Sequence, residues 1–150
     1  MIVADGVTCN FVTRVGAQMY ADRAVGIVGA PAAPTGMKLG TGSTPPAVTG
    51  VGAALSTYLA NSHQGFDSGF PASVAQGNGR RITYLATFAA GKATSLVTPI
   101  TEAVIVNNAL TDATSGEAAT IARVLLVGVP NKAADQSLVV TWAHDLGASS

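Results

Sequence analysis

Apolar and polar positions are patterned most clearly in the second half of the chain. Four segments there read as β-strands: residues 81–88, 100–107, 120–127 and 138–143. Each is rich in Val, Ile, Leu, Thr or aromatic residues and is bounded by Gly, Pro, Asn, Asp or Ser. In residues 81–88, Ile82, Tyr84, Ala86 and Phe88 share one face while Arg81, Thr83 and Thr87 share the other, which predicts a half-buried strand. In residues 120–127 both faces are apolar except at Arg123, which predicts a strand covered on both sides. Leu138, Val140 and Trp142 form the inner face of the last strand, with Trp142 as a core anchor. Short connections and the lack of helical periodicity between these segments predict a mainly β fold. The expected architecture is an antiparallel β-sandwich, jelly-roll-like, with one short N-terminal helix.

That helix is carried by Phe11, Val15 and Met19, spaced i, i+4, i+8, with Thr8 or Asn10 to cap its start and an end near Gly26. Gly16 within it costs roughly 0.5–1 kcal/mol relative to Ala. Residues 29–36 carry two prolines and read as a linker. The chain therefore divides into an N-terminal arm with helix and linker, residues 1–34, and a β-sandwich body, residues 35–150, within one domain. The apolar stripe of the arm is expected to pack on a neighbouring subunit, with Phe11, Val15, Met19 and Tyr20 as interface residues.

The body opens with a short strand over residues 35–41, with Met37 and Leu39 on one face and Lys38 on the other. Residues 42–52 read as a loop, residues 53–59 fit helix and strand equally, and residues 61–68 are loop again. Residues 70–76 form a weak strand that Pro71 confines to an edge or a start. Gly77-Asn78-Gly79 then predicts a type I′ hairpin turn into residues 81–88. Residues 130–135 make the turn before the last strand, and the termini and Gly-rich loops are the expected mobile parts.

Composition changes the picture in one respect. Hydrophobic residues are 48% of the 150, but charged residues are only 11%, against roughly 25% in a typical soluble domain. A folded chain of this size exposes on the order of 7,000 Å², so charge is spread thinly; small residues (Ala, Gly, Ser, Thr) make up part of the difference, and burial against partner subunits is the other candidate. Net charge is zero, and only Arg80-Arg81 places two like charges together. A nucleic-acid partner is disfavoured on that ground. No apolar run reaches the ~18–20 residues of a membrane span. The first residues lack the basic and apolar regions of a signal peptide, and Cys9 stands alone, which fits assembly in a reducing compartment.

Candidate chemistry is sparse. Residues 40–44 (GTGST) suggest a phosphate loop but run into Pro45-Pro46 without the Gly-Lys-Ser/Thr ending, and Gly91-Lys92-Ala93-Thr94 has Ala93 where a hydroxyl is needed. His144-Asp145 is the one adjacent His–carboxylate pair, but no G-x-S-x-G elbow occurs, so His144 reads as a surface or interface residue. His63 and Cys9 lack further ligands at zinc-site spacing. Aromatic residues, at 5%, are thin for a sugar- or base-stacking platform. No catalytic, cofactor-binding or metal-binding residues, no cofactor and no small-molecule substrate are expected. A small enzyme or carbohydrate-binding domain ranks far below a structural role.

Several segments taken together carry a resemblance: the N-terminal helix, Met37-Lys38-Leu39-Gly40-Thr41-Gly42, the strand of residues 82–88, Gly91-Lys92-Ala93-Thr94, Ile100-Thr101-Glu102-Ala103, Ala122-Arg123-Val124-Leu125, and residues 129–135 leading into Val140-Thr141-Trp142. Over roughly residues 11–146 the chain resembles small virion structural proteins of tailed bacteriophages. It departs from them at Val104-Ile105-Val106, where a Gly-Leu-Phe-like continuation would be expected. The resemblance implies a β-sandwich or jelly-roll-like, non-enzymatic capsid cement or decoration protein. Its expected partners are the major capsid protein and copies of itself, and its expected location is the capsid surface of a virion assembled in the host cytoplasm. The alternative within the group is a tail, collar or fibre-base component. Heptad and collagen-like repeats, which would mark a fibre shaft, are missing.

Overall fold

The computed structural model describes residues 2–3 and 11–147 as nine strands, one α-helix and two short 3₁₀ turns. The strands are β1 (Ile2–Val3), β2 (Phe11–Val12), β3 (Gly36–Gly40), β4 (Gln64–Gly65), β5 (Ala72–Gln76), β6 (Gly79–Phe88), β7 (Glu102–Val106), β8 (Thr120–Leu125) and β9 (Leu138–Leu146), and the helix α1 spans Arg14–Ala24. They form a four-stranded sheet in the order β1-β9-β6-β5 and a five-stranded sheet in the order β2-β8-β7-β3-β4. Every pairing is antiparallel except the two-residue pairing of β1 with β9. The fold is mainly β with one helix.

The period-2 patterns are satisfied in both sheets. β6 and β9 pair from Arg80↔Leu146 to Phe88↔Leu138, which sets Tyr84 opposite Trp142 and Ala86 opposite Val140 on the buried face. In the other sheet the register aligns Met37 with Ile105 and Ala122, and Leu39 with Ala103 and Val124. These residues and Val15 and Met19 of α1 belong to one core. The second face of the five-stranded sheet carries Lys38, Val104 and Arg123 in one row, all buried. The short 3₁₀ turn Gly50–Ala53 reaches it, its Gly52 carbonyl accepting from Arg123. Loop residues Leu55, Tyr58 and Leu110 pack there on Val104 and Val106.

Helix α1 starts later than its apolar spacing predicts. Phe11 and Val12 are a strand, pairing with Arg123 and Ala122 of β8, so Phe11 is not on the helix. Thr13 is the cap, its Oγ1 accepting from Gly16 N at 3.1 Å; the expected caps Thr8 and Asn10, like Cys9, lie outside the described residues. At the other end the helix stops at Val25 with Gly26 in the left-handed region, close to the expected end. Its docking point is a bulge in β8. The register shifts between Ile105 and Val106, leaving Ile121 unpaired, and the Ile121 carbonyl accepts from Thr13 N at 3.0 Å and from Thr13 Oγ1 at 3.1 Å. A Cβ on Gly16 would collide with that same carbonyl oxygen. Gly16 is thus the residue that lets helix and strand touch, rather than a flaw in the helix.

Other boundaries shift for local reasons. β7 begins at Glu102, because Thr101 N bonds the Gly40 carbonyl and Thr101 O accepts from Leu126 N. β8 ends at Leu125, and Val127 beyond it is 81% exposed. The hairpin joining β5 to β6 has a two-residue loop, Gly77-Asn78, closed by the pair Gln76↔Gly79. Positive φ falls on Gly77 and not on Asn78, the glycine-first pattern of a type II′ turn in place of the expected type I′.

Candidate functional site

Two polar groupings lie buried behind the surface and a third lies at it, and each proves to serve the fold. Glu102 and Arg123 sit on adjacent strands with both side chains fully buried. Arg123 donates from NH2 at 2.6 Å and from Nε at 3.2 Å to Glu102 Oε2, and from NH1 at 3.1 Å to the Gly52 carbonyl. The same carboxylate accepts from the backbone N–H of Gly42 at 3.0 Å, Ser56 at 3.1 Å and Thr57 at 2.8 Å. Burial pulls the Glu102 carboxyl upward, but Arg123 and the Thr57 and Ser56 amides outweigh it and hold the group below its ordinary range. The Gly-rich loop that suggests a phosphate site instead lends its Gly42 amide to the chain's own carboxylate, alongside Ser56 and Thr57 of a second loop. Gly42 is required because a Cβ there would overlap Ser56 Oγ and crowd Glu102.

The second grouping lies between α1 and the four-stranded sheet. Tyr20 OH bonds both Tyr84 OH and, at 2.7 Å, His144 Nδ1. Trp142 packs edge-on to His144 with ring centroids 6.1 Å apart. Among the described residues, His144 Nε2 and Trp142 Nε1 are buried without a hydrogen-bond partner. Burial pushes the His144 imidazole down to about 4, with Asp145 opposing weakly, and burial raises both tyrosine hydroxyls. His144 is 5% exposed, which corrects its reading as a surface or interface residue. The cause is the strand period: Leu138, Val140, Trp142 and His144 all face inward. Asp145 faces the other way and forms a two-pronged pair with Arg81 at 2.7 and 2.8 Å. The adjacent His144-Asp145 is thus not an acid–base pair.

The third grouping is more open. Asp112 accepts from Tyr58 OH at 2.9 Å and from Asn61 N at 2.6 Å, lies 3.8 Å from His63 Nδ1, and is held below its ordinary range first by the Asn61 amide and then by Tyr58. Nearby, Lys38 donates to the Ala113 carbonyl at 2.6 Å and lies over the Tyr58 ring. Lys132 likewise spends its ammonium on the Ala89 carbonyl. Among the described residues no three His, Cys, Asp or Glu side chains come together as metal ligands, and no helix is long and apolar enough to cross a membrane.

The surface itself is the remaining candidate. Of the eight basic and eight acidic residues, Lys38, Glu102, Arg123 and Lys132 are fully buried, so the exterior is poorer in charge than the composition implies. Large apolar side chains stand out from it in loops: Val25, Ile27 and Val28 after α1, Val48 and Val51, Leu96 and Val97, and Val127. Val48 lies beside the start of α1, since its carbonyl accepts from Arg14 N at 2.8 Å. Residues 95–101 and 126–132 run alongside each other, tied by Ser95 N to Lys132 O and Leu126 N to Thr101 O, which brings Leu96, Val97 and Val127 onto neighbouring segments. Apart from Val127, which the sequence pattern assigns to a covered strand, none of these loop residues stands in a periodic apolar pattern.

The four interface residues expected from the sequence separate in the structure. Val15 and Met19 are buried in the chain's own core, Tyr20 is half-buried in its bond with Tyr84 and His144, and Phe11 is 39% exposed on β2. Val15 and Met19 turn inward because α1 is anchored on β8 through Thr13 and Gly16, and this leaves Phe11 as the exposed member of the set. No family model, no curated protein and no solved structure matches this chain above chance.

Proposed function

We propose that this protein is a non-enzymatic virion structural protein, a capsid cement or decoration protein that binds and stabilises the head shell of a tailed bacteriophage. Its partners are the major capsid protein and further copies of itself. The two sheets, contributing to one core, are read as an antiparallel β-sandwich of the jelly-roll kind, as in the proteins the sequence resembles. The observation that carries the reading is the surface: apolar loop residues project from an exterior from which four of the charged side chains have been withdrawn. Isolated apolar residues on a surface are ordinary, but several apolar loops on a charge-poor exterior suit lasting contact with neighbours. The polar groupings support the same reading, because the Glu102–Arg123 and Asp112 groupings spend their carboxylates on internal hydrogen bonds. The test is to purify particles of the virus that encodes the chain and quantify the 14.9 kDa protein in them. Hundreds of copies per particle, with density on the shell by cryo-electron microscopy, are expected. A count matching one or a few symmetric rings would move the protein to the tail, collar or fibre base. Absence from particles overturns the proposal.

A further inference from the structure

We propose that the free edge of β5 is a self-pairing surface, which joins antiparallel to the β5 edge of a second copy and which Arg80 covers in the isolated chain. β5 is the outer strand of the four-stranded sheet, and among the described residues no strand pairs with its far side. Gln76↔Gly79 closes a two-residue hairpin loop, so this pair, Val74↔Arg81 and Ala72↔Thr83 exchange backbone hydrogen bonds with β6. Ser73 and Ala75 therefore point their N–H and C=O groups away from β6, toward the open edge. The strand is exposed from Ser73 through Gln76.

Edge strands in soluble proteins are usually guarded by Lys, Pro, a bulge or an inward charge. Within β5 there is none of these: its sequence is Ala-Ser-Val-Ala-Gln. Pro71, just before the strand, blocks only its start; over Ser73 the guard is Arg80, whose NH2 donates to the Ser73 carbonyl at 3.0 Å and to Ser73 Oγ at 3.2 Å. A side chain occupies the acceptor that a neighbouring strand would otherwise use. It is held there by hydrogen bonds to Ser73 alone, so an incoming amide can replace it.

A second copy is the occupant that the strand fits. An antiparallel two-fold through Val74 sets Ser73 against Ala75 of the other copy and Ala75 against its Ser73. All four outward N–H and C=O groups of each strand then meet a partner, and both pairs are of the hydrogen-bonded kind. Val74 meets its own twin in the closer, non-hydrogen-bonded position, burying a side chain that is 51% exposed in the single chain. β5 itself carries no charge, so the paired strands bring no like charges of their own together. Five residues a side bury far less than the ~1,200 Å² of a stable interface, so the pairing is weak in dilute solution and is completed where copies are held close together. This assignment rests on the proposed self-association, and not on where in a particle the assembly sits.

Sedimentation equilibrium of the full chain across micromolar to millimolar concentration tests it. The wild type is expected to pass from a single 14.9 kDa species toward twice that mass. Val74→Glu sets a carboxylate beside Arg81 within the chain but two carboxylates against each other across the two-fold. Ala75→Pro removes an amide that points away from β6. Each is expected to weaken dimerisation at least tenfold while far-UV circular dichroism stays unchanged. Arg80→Ala is expected to tighten it several-fold, a gain that misfolding would not imitate. A wild type that stays monomeric to millimolar concentration overturns self-association altogether. A dimer that Val74→Glu and Ala75→Pro leave intact overturns the edge alone, and an Arg80→Ala dimer no tighter than the wild type overturns the covering role.

Discussion

Arg123 and Glu102 are placed so that breaking their pair costs more than forming it contributes. Each is fully buried, and the carboxylate also orders the backbone at Gly42, Ser56 and Thr57. Arg123→Ala strands a buried carboxylate and removes the donor to Gly52, so a loss of about 3–5 kcal/mol is expected in urea unfolding. A loss below about 1 kcal/mol would mean that the amides alone satisfy the carboxylate. His144 is expected to make the fold acid-sensitive. Its folded pKa, about 4, lies below the ordinary 6.5, so at lower pH the unfolded chain takes up the proton that the folded chain refuses. The contribution is complete above 6.5 and is lost as pH falls toward 4, amounting to roughly 3 kcal/mol. Glu102, with its lowered pKa, pushes in the same direction at lower pH. Unfolding free energy measured from pH 7 to pH 4 should therefore fall, and His144→Gln should flatten that slope; an unchanged slope would remove His144 as its cause. The inward position of His144 was legible as the next step of Leu138, Val140, Trp142. The Glu102–Arg123 pair was not, because it depends on the register between two strands and on a loop folding back over both.

Among the elements, the strands were the legible part. Residues 81–88 and 138–143 alternate cleanly, and both strands appear with the expected inner faces. The helix was legible in kind and displaced in position, because apolar spacing cannot register that Phe11 and Val12 are claimed by β8. Gly16 shows why tertiary context overrides propensity. In an exposed helix, glycine to alanine gains about 0.5–1 kcal/mol. Here the new methyl would strike the Ile121 carbonyl, which is held by two bonds from Thr13. Gly16→Ala is expected to cost about 1–3 kcal/mol, the range for overpacking, and thermal melting gives the sign directly. A stabilised variant would show that helix and bulge are looser than the geometry indicates. The same anchoring bears on the arm. A chain beginning near Thr35 loses Val15, Met19 and the Thr13 bonds to β8, so it is expected to unfold at lower urea with exposed core, not to fold and merely assemble poorly. A truncated chain with the full-length urea midpoint would place the helix outside the body's core.

At the scale of the whole molecule, charge has been moved from the surface to the interior. Lys38, Glu102, Arg123 and Lys132 are each satisfied inside; the first three hold down loops over the second face of the five-stranded sheet, and Lys132 ties its loop to the Ala89 carbonyl after β6. Such a covering has no periodic signature, which is why the sequence speaks for two-sided burial of residues 120–127 but not for what provides it. The exterior that results has little with which to bind by charge. Attachment driven by charge weakens steeply with salt, since the Debye length shortens from about 10 Å at 0.1 M to about 3 Å at 1 M. Apolar burial does not weaken in this way: at ~25 cal/mol per Å², a few hundred Å² of apolar contact outweighs the ~0–1 kcal/mol of a typical surface ion pair. Main-chain pairing along an edge such as β5 is likewise not a contact between net charges. Attachment to particles should therefore survive washing in molar sodium chloride at neutral pH and give way to denaturant or detergent, followed by the fraction of protein that sediments with the particles. Release by salt alone would mean that the few outward charges, Arg14, Arg23, Arg80 and Lys92 among the basic ones, are grouped against an acidic partner and that the apolar loops are incidental.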